Sequence, residues 1–261
     1  MNSYLKLPKV SNWAWKVWMR NRDVFMKTYK VNFILPLLEP ILYLLALGFG
    51  LGGYIGAIDG VPYVVFIAPG LISISIMNSA FFECTYGSYV RMYYQKTFDA
   101  IIATPLSLDE VIAGEILWGA TKSLINASLM LLVIIAFGLI SLPTALIIIP
   151  FSFISGFLFS TIAMCFTAIS PTIDSLNYPI FLLITPMFLF SGTFFPISAL
   201  PQPIQYASFA SLPLVHVVSI SRALAMGRWD ENLPLNLIWI AIVSLVLFVL
   251  SVNLMKRRLI S

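Results

Sequence analysis

Residues 233–258 read LPLNLIWIAIVSLVLFVLSVNLMKRR, a run without a charged side chain from 233 to 255 that stops on Lys256, Arg257 and Arg258. At 1.5 Å rise per residue, about 20 apolar residues cross the ~30 Å hydrocarbon core of a bilayer. The stretch reads as a membrane-spanning helix whose basic end stays on the cytoplasmic side, where Lys and Arg collect. Apolar runs of similar kind precede it at 31–51, 62–82, 111–140, 143–169 and 176–192. The sequence therefore predicts an all-α membrane protein of about six transmembrane helices.

Composition points the same way. Of 261 residues, 60% are hydrophobic and 10% charged, and the mean hydropathy is +0.95. A soluble domain carries roughly 25% charged residues, so this chain has too few polar side chains to cover a water-facing surface. The length accommodates one membrane domain, 31–261, behind a cytoplasmic segment, 1–30. The start does not read as a signal peptide: it is polar and basic, and no small-residue cleavage site follows the first apolar run.

The net charge of +4 matters through its placement. Lys6, Lys9, Lys16, Arg20, Arg22, Lys27 and Lys30 precede the first run, and Arg91 and Lys96 lie between the second and third. The connections after the first and third runs hold no Lys or Arg. Between the fifth and sixth, Arg222 and Arg228 are partly offset by Asp230 and Glu231. This alternation predicts that both termini are cytoplasmic.

Residues 12–30 have the pattern of an interfacial helix. Lys16, Arg20, Asp23, Lys27 and Lys30 share one narrow face, while Trp15, Trp18, Met19, Phe25, Met26 and Tyr29 fall on the other side. Arg22 interrupts the apolar side, where a long side chain can snorkel. Such a helix either anchors the chain in the headgroup layer or presents its charged face to a cytoplasmic partner. Between the second and third runs, 97–104 is compatible with a short inner helix that Pro105 stops. Ser107 and Glu110 then form a capping box for the third span. On the outer side, 193–232 contains Pro196, Pro201, Pro203 and Pro213 yet remains apolar. It is expected to dip back into the bilayer as a re-entrant hairpin of short helices.

Enzyme chemistry lacks parts. His216 is the only histidine, so no histidine relay or His cluster can assemble within one chain. Cys84 and Cys165 sit in apolar runs without metal-ligand spacing, as small packing thiols do. No G-x-x-x-x-G-K-[ST] phosphate cradle occurs, and the chain is not expected to hydrolyse ATP. Charges within spans demand an account: Glu83, Glu115, Lys122 and Asp174 fall near the inner boundary, wetted or paired, and Glu39 lies deeper. Two semi-polar stripes stand out. One is Asn32, Glu39, Tyr43 and Gly50, and the other is Asp174, Asn177, Phe181, Thr185, Phe188 and Gly192. Either could line a path for an amphipathic or sugar-bearing substrate, or simply pack helix on helix. Gly48, Gly52 and Gly56 are spaced for close helix packing.

Three segments, LLEPILYLLALGFGLGGYIG at 37–56, FDAIIATPLSLDEVIAGEILWGATKS at 98–123 and LITPMFLFSGTFFPISALP at 183–201, resemble the membrane subunits of type-2 ABC exporters. Within that family the chain is most similar to the NodJ-like branch, the permeases paired with NodI ATPases of nodulation-factor export, along nearly its whole length. The resemblance implies a permease subunit in the bacterial inner membrane. It would export a lipid-linked or oligosaccharide-type amphipathic substrate, or a hydrophobic drug. The implied partners are a second permease copy in a homodimer, two ABC ATP-binding subunits carrying ATP and Mg, and membrane lipid, with no nucleic acid. The contact with the ATPase is expected at a coupling helix, Thr97, Phe98, Asp99, Ile101, Ile102 and Thr104, and at Lys16, Arg20, Asp23 and Lys27 of the first helix. Spans one and five would line the path through Glu39, Tyr43, Asn177, Phe181, Thr185 and Phe188. No catalytic residue, metal or cofactor is expected on this chain. The alternatives are an ion-coupled secondary transporter or channel, for which charge near the midplane is sparse, and a membrane transferase, for which acid–base groups are too few.

Overall fold

A computed structural model describes residues 7–28, 33, 38, 41–58, 60–140, 142–229 and 231–260. Its elements in chain order are α1 (Ala14–Lys27), α2 (Ile41–Ile55), a hairpin of β1 (Ala57–Ile58) and β2 (Val61–Pro62), α3 (Tyr63–Tyr94) and α4 (Thr97–Ile102). There follow α5 (Leu108–Ala136), α6 (Thr144–Ile169), α7 (Asp174–Phe190), α8 (Gln202–Ser211), α9 (Pro213–Met226) and α10 (Leu233–Ile260). The architecture is all-α apart from the two-residue strands, which pair Ala57 with Pro62 and Ile58 with Val61.

Among the described residues, four helices, α3, α5, α6 and α10, are long and apolar enough to cross a membrane. The runs expected at 31–51 and 176–192 appear as the shorter apolar helices α2 and α7. The start of the first run, with Asn32 and Glu39, lies outside the described residues. Within 193–232, where a re-entrant hairpin of short helices is expected, α8 and α9 form a bent pair that meets at 93°. Pro213 opens α9 at its first position, where the missing amide is harmless.

Helix boundaries correct the sequence reading at α3 and at α5. The run at 62–82 ends at the first charge, Glu83, but the helix continues to Tyr94. It does so through two π-helical turns, Glu83–Gly87 and Val90–Tyr94. At the other edge, the capping box of Ser107 and Glu110 forms: the Ser107 amide donates to the Glu110 carboxylate at 2.6 Å. Helix α5 therefore begins at Leu108, not 111, and it stops at Ala136, before Gly138 at φ 70°. In α7, Pro186 has no amide to offer the carbonyl four residues back, and the turn before it, Ile180–Ile184, is also π-helical.

Helix α3 is the spine. Phe66, Ile67, Ile72, Ile76, Met77 and Phe81 along it are buried, and α2, α5, α6 and α9 pack on it. Small residues set the close approaches. A Cβ at Gly119 of α5 would sit 2.5 Å from both Cys84 Sγ of α3 and Ser160 Oγ of α6. One at Gly156 of α6 would meet Ser123 Cβ at 2.6 Å, and one at Gly48 of α2 would meet Val64 Cγ2 at 2.5 Å. Gly56, by contrast, has open space and a φ of 73°: it serves the turn into β1, not helix packing. On α10, Leu235, Ile238, Ile242 and Leu245 form an exposed apolar stripe at helical spacing, a face suited to lipid. His216 of α9 is buried, with Nδ1 2.8 Å from Asn236 Oδ1, Nε2 3.0 Å from the Phe209 carbonyl, and its ring stacked on Trp239.

Candidate functional site at the basic end of the bundle

The chain's two ends meet at one end of the bundle. The Lys9 amide donates to Asp109 Oδ2 at 2.8 Å, the Ser11 hydroxyl donates to Glu110, and Lys256 Nζ pairs with Asp109 Oδ1 at 2.5 Å. Arg258 donates to the Thr167 carbonyl and lies over the Tyr89 ring. Segments 7–13, α4, the start of α5 and the last turns of α3, α6 and α10 thus share the end where the basic residues gather.

Helix α1 lies across the first half of α5 and has three faces. Ala14, Val17, Asn21 and Phe25 are its buried line, at spacings of three and four that keep them on one side. Val17 sits where a Cβ on Gly114 would be 2.5 Å away, and Phe25 meets the Trp118 ring edge-on at 5.4 Å. Trp15, stacked on Trp18 at 4.0 Å, and Met26 are exposed apolar groups on a second face. Lys16, Asp23 and Lys27 are exposed on the third. Asp23 accepts from Arg22 at 2.7 Å, and Arg22 reaches over the Trp18 ring.

Beneath α1 lies a closed set of ions. Arg91 of α3 donates through Nη2 to Glu115 Oε2 at 2.6 Å and through Nε at 2.9 Å, and its Nη1 pairs with Glu83 Oε1 at 2.8 Å. Lys122 of α5 completes Glu83 at 2.7 Å. Glu115, 1% exposed, also accepts from Ser88 Oγ at 2.6 Å and from Asn21 Nδ2 at 2.7 Å. Two carboxylates and two cations cancel, and every carboxylate oxygen in the set has a donor, which is what burial of charge requires. The π-helical turns of α3 frame this cluster. Gly87, the last residue of the first turn, leaves the room: a Cβ there would be 3.1 Å from Glu83 Oε1 and 3.4 Å from Arg91 Nη1.

Arg20 extends the set toward α4, donating to Asn21 Oδ1 at 2.9 Å and to Thr97 Oγ1 at 3.4 Å. Burial lowers its pKa from the ordinary value; Glu115 opposes that and Arg91 adds to it. A continuous polar chain therefore runs Thr97–Arg20–Asn21–Glu115–Arg91–Glu83–Lys122, joining α4, α1, α5 and α3.

Five of the residues singled out from the sequence, Lys16, Arg20, Thr97, Ile101 and Thr104, line one cavity of about 430 Å³ between α1 and the α4 segment. Asp99 and Ile102 are exposed beside it. Phe98 is fully buried and so anchors α4 to the bundle instead of facing outward. Lys27 lies farther along α1. On the path-lining stripes, Asn177, Phe181 and Thr185 are exposed on α7, Asn177 accepting from the Tyr86 hydroxyl at 3.0 Å. Phe188 meets the Phe194 ring at 4.9 Å. Tyr43 is half-buried on α2, and Glu39 lies outside the described residues. Sequence reasoning flagged Glu83, Glu115 and Lys122 singly but missed Asn21, Ser88 and Arg91 as their partners. Asn21, the one polar member of an otherwise apolar line, was the available signal.

The family model described as ABC-2 type transporter matches residues 14–226, from the start of α1 to the end of α9. Nodulation protein J of Sinorhizobium fredii is 36% identical over 259 residues, covering 99% of this chain and 98% of that protein. Nodulation protein J of Bradyrhizobium diazoefficiens is 34% identical over 249 residues, covering 95% and 94%. The inner membrane transport permease YadH of Escherichia coli is 23% identical over 217 residues, covering 83% and 84%. The match takes in the spine, the basic end and the bent pair α8 and α9 together, and on these grounds the chain belongs to the ABC-2 type transporter family, as a multi-pass membrane protein.

Proposed function

We propose that this chain is the membrane subunit of an ATP-driven exporter in the bacterial inner membrane. It moves a lipid-linked saccharide, lipo-oligosaccharide or other hydrophobic amphipath outward. Six passes, α2, α3, α5, α6, α7 and α10, leave both termini in the cytoplasm, with 1–30 as an interfacial segment and 31–261 as the membrane domain. Two copies form the path, and two copies of an ABC ATP-binding subunit, holding ATP and Mg, dock on the basic end. The inner membrane is favoured by the name of the Escherichia coli relative, and the orientation by the segregation of Lys and Arg.

The carrying observation is the cavity between α1 and α4, lined by Lys16, Arg20, Thr97, Ile101 and Thr104. A short helix pinned by one buried aromatic, Phe98, and wired through Arg20 to ions under the spine can pass displacement from a docked subunit into the bundle. The exposed apolar faces of α2 (Leu42, Phe49, Tyr54) and α7 (Tyr178, Phe181, Leu182) are the surfaces the second copy covers. Tyr43, Asn177, Phe181, Thr185 and Phe188, with Glu39, remain the path candidates.

The test is reconstitution with the ABC ATP-binding subunit that copurifies with the chain. Asp99→Lys, or Ile101→Pro, which removes an amide donor from the short helix, should uncouple ATP hydrolysis from export while insertion persists. Unchanged coupling in both variants rejects α4 as the transmission element. Transport by the permease without any ATPase rejects the exporter reading.

A further inference from the structure

A second cavity, of about 160 Å³, opens on the other side of Arg20, between the last turns of α1 and the ends of α3 and α5. One wall is polar, with Arg20, Glu83, Arg91, Gln95 and Lys122, and the other is apolar, with Val24, Phe25 and Trp118. The charges here do not cancel. Arg91 and Lys122 are matched by Glu83 and Glu115, whereas Arg20 makes no ion pair among the described residues. It is held only by Asn21 and Thr97. One positive charge therefore remains at the mouth of a half-apolar, half-basic pocket.

Depth fixes the environment. The uncharged part of α3, Tyr63 to Phe82, is 20 residues long, about 30 Å of helix and one hydrocarbon thickness. Glu83, Arg91 and Gln95 lie beyond it, where headgroups begin. The apolar wall includes the exposed Val24 of α1, beside which an acyl chain can lie. We infer that this cavity binds the phosphate of an anionic membrane phospholipid, with Arg20 and Lys122 on the phosphate and the first methylenes against Phe25 and Trp118. The bound lipid supplies the missing negative charge and stabilises the seating of α1. The inference stands apart from the export reading, since it needs only the cavity and the membrane surface.

The experiment uses the full chain purified in neutral detergent. Thermal stability and lipid retention by native mass spectrometry are measured with phosphatidylglycerol, phosphatidylcholine or inorganic phosphate added. Selective retention of phosphatidylglycerol is expected, with a rise in melting temperature. Arg20→Gln should weaken retention about fivefold, the loss associated with one basic residue at an anionic surface, and Gln95→Glu, which adds a repelling charge to the wall, should do the same. Lys27→Gln, on the exposed face of α1 outside the cavity, should leave it unchanged. Folding is checked by gel filtration, and the Gln95→Glu result carries the test if Arg20→Gln does not fold. Equal loss in Lys27→Gln would show general surface attraction and overturn the site. Equal protection by inorganic phosphate would overturn the lipid as its occupant. No preference for phosphatidylglycerol over phosphatidylcholine would overturn the inference altogether.

Discussion

Replacing Arg91 by Met puts the ion cluster to the sharpest test. The change removes both guanidinium bonds to Glu115 and the bond to Glu83. Glu115, 1% exposed, keeps Ser88 and Asn21 but loses its cation, and Glu83, 8% exposed, keeps only Lys122. Breaking a buried pair by deleting one partner costs about 3–5 kcal/mol, because the remaining charge stays buried. For a chain of this size that corresponds to a fall in melting temperature on the order of 10 °C. The assay is thermal unfolding of the detergent-solubilised protein, followed by near-ultraviolet circular dichroism. The double variant Arg91→Met with Glu115→Gln removes the orphaned charge and should recover a coupling energy of about 0.5–3 kcal/mol over the sum of the single changes. Melting of Arg91→Met within about 2 °C of the parent, under ~1 kcal/mol by the same scaling, would refute the reasoning. Strict additivity in the double variant would refute it equally, since independent sites add.

Three further outcomes follow from the packing. Gly114→Leu forces a side chain into Val17 and the Ala14 carbonyl, 2.5 and 2.8 Å from the new Cβ. It should cost about 1–3 kcal/mol and expose 7–28 to limited proteolysis, with an unchanged digest counting against the seating of α1. Phe98→Ala empties a fully buried aromatic site whose truncation typically costs about 3–5 kcal/mol. Because α4 is short, the effect should be local: amides of 97–102 lose hydrogen-exchange protection while those of α3 keep theirs. Gly87→Val crowds the Glu83–Arg91 pair, and its melting temperature should fall by less than that of Arg91→Met; a larger fall would mean that Gly87 serves backbone geometry instead.

Much of the fold was legible because its signals are local. Apolar run length, the 3.6-residue period of α1, the segregation of basic residues and the Ser107–Glu110 box each need no more than a helix's worth of sequence. What failed was the inference that a span ends where its charges begin. Hydropathy falls at Glu83, but the backbone ladder does not; α3 runs on to Tyr94, where Glu83 and Arg91 are balanced by Glu115 and Lys122 of α5, 32 and 39 residues beyond Glu83. Such pairings join distant positions and leave no periodic trace. For the candidate site, the chain segment was legible and the orientation of its side chains was not. Phe98 and Asp99 are neighbours in the same short helix, yet one is buried and the other exposed, a division that depends on where α5 lies. The sequence separates only two of the three faces of α1, because the line that meets protein is as apolar as the exposed line of Trp15 and Met26.

The spine helix also makes the molecule a gauge of membrane thickness. Its uncharged length is set at one end by the β-hairpin at Val61–Pro62 and at the other by Glu83, which is tied to Lys122 and Arg91 and cannot slide independently. A bilayer thicker than about 30 Å would draw those ions toward hydrocarbon, and a thinner one would strand Tyr63 or Phe82 in water, each at fractions of a kcal/mol per Å. Because the same ions seat α1 and reach α4 through Arg20, a strain that begins as lipid mismatch arrives at the basic end as a change in helix placement. The activity of the assembled protein should accordingly respond to acyl-chain length, with an optimum that the Glu83 cluster defines.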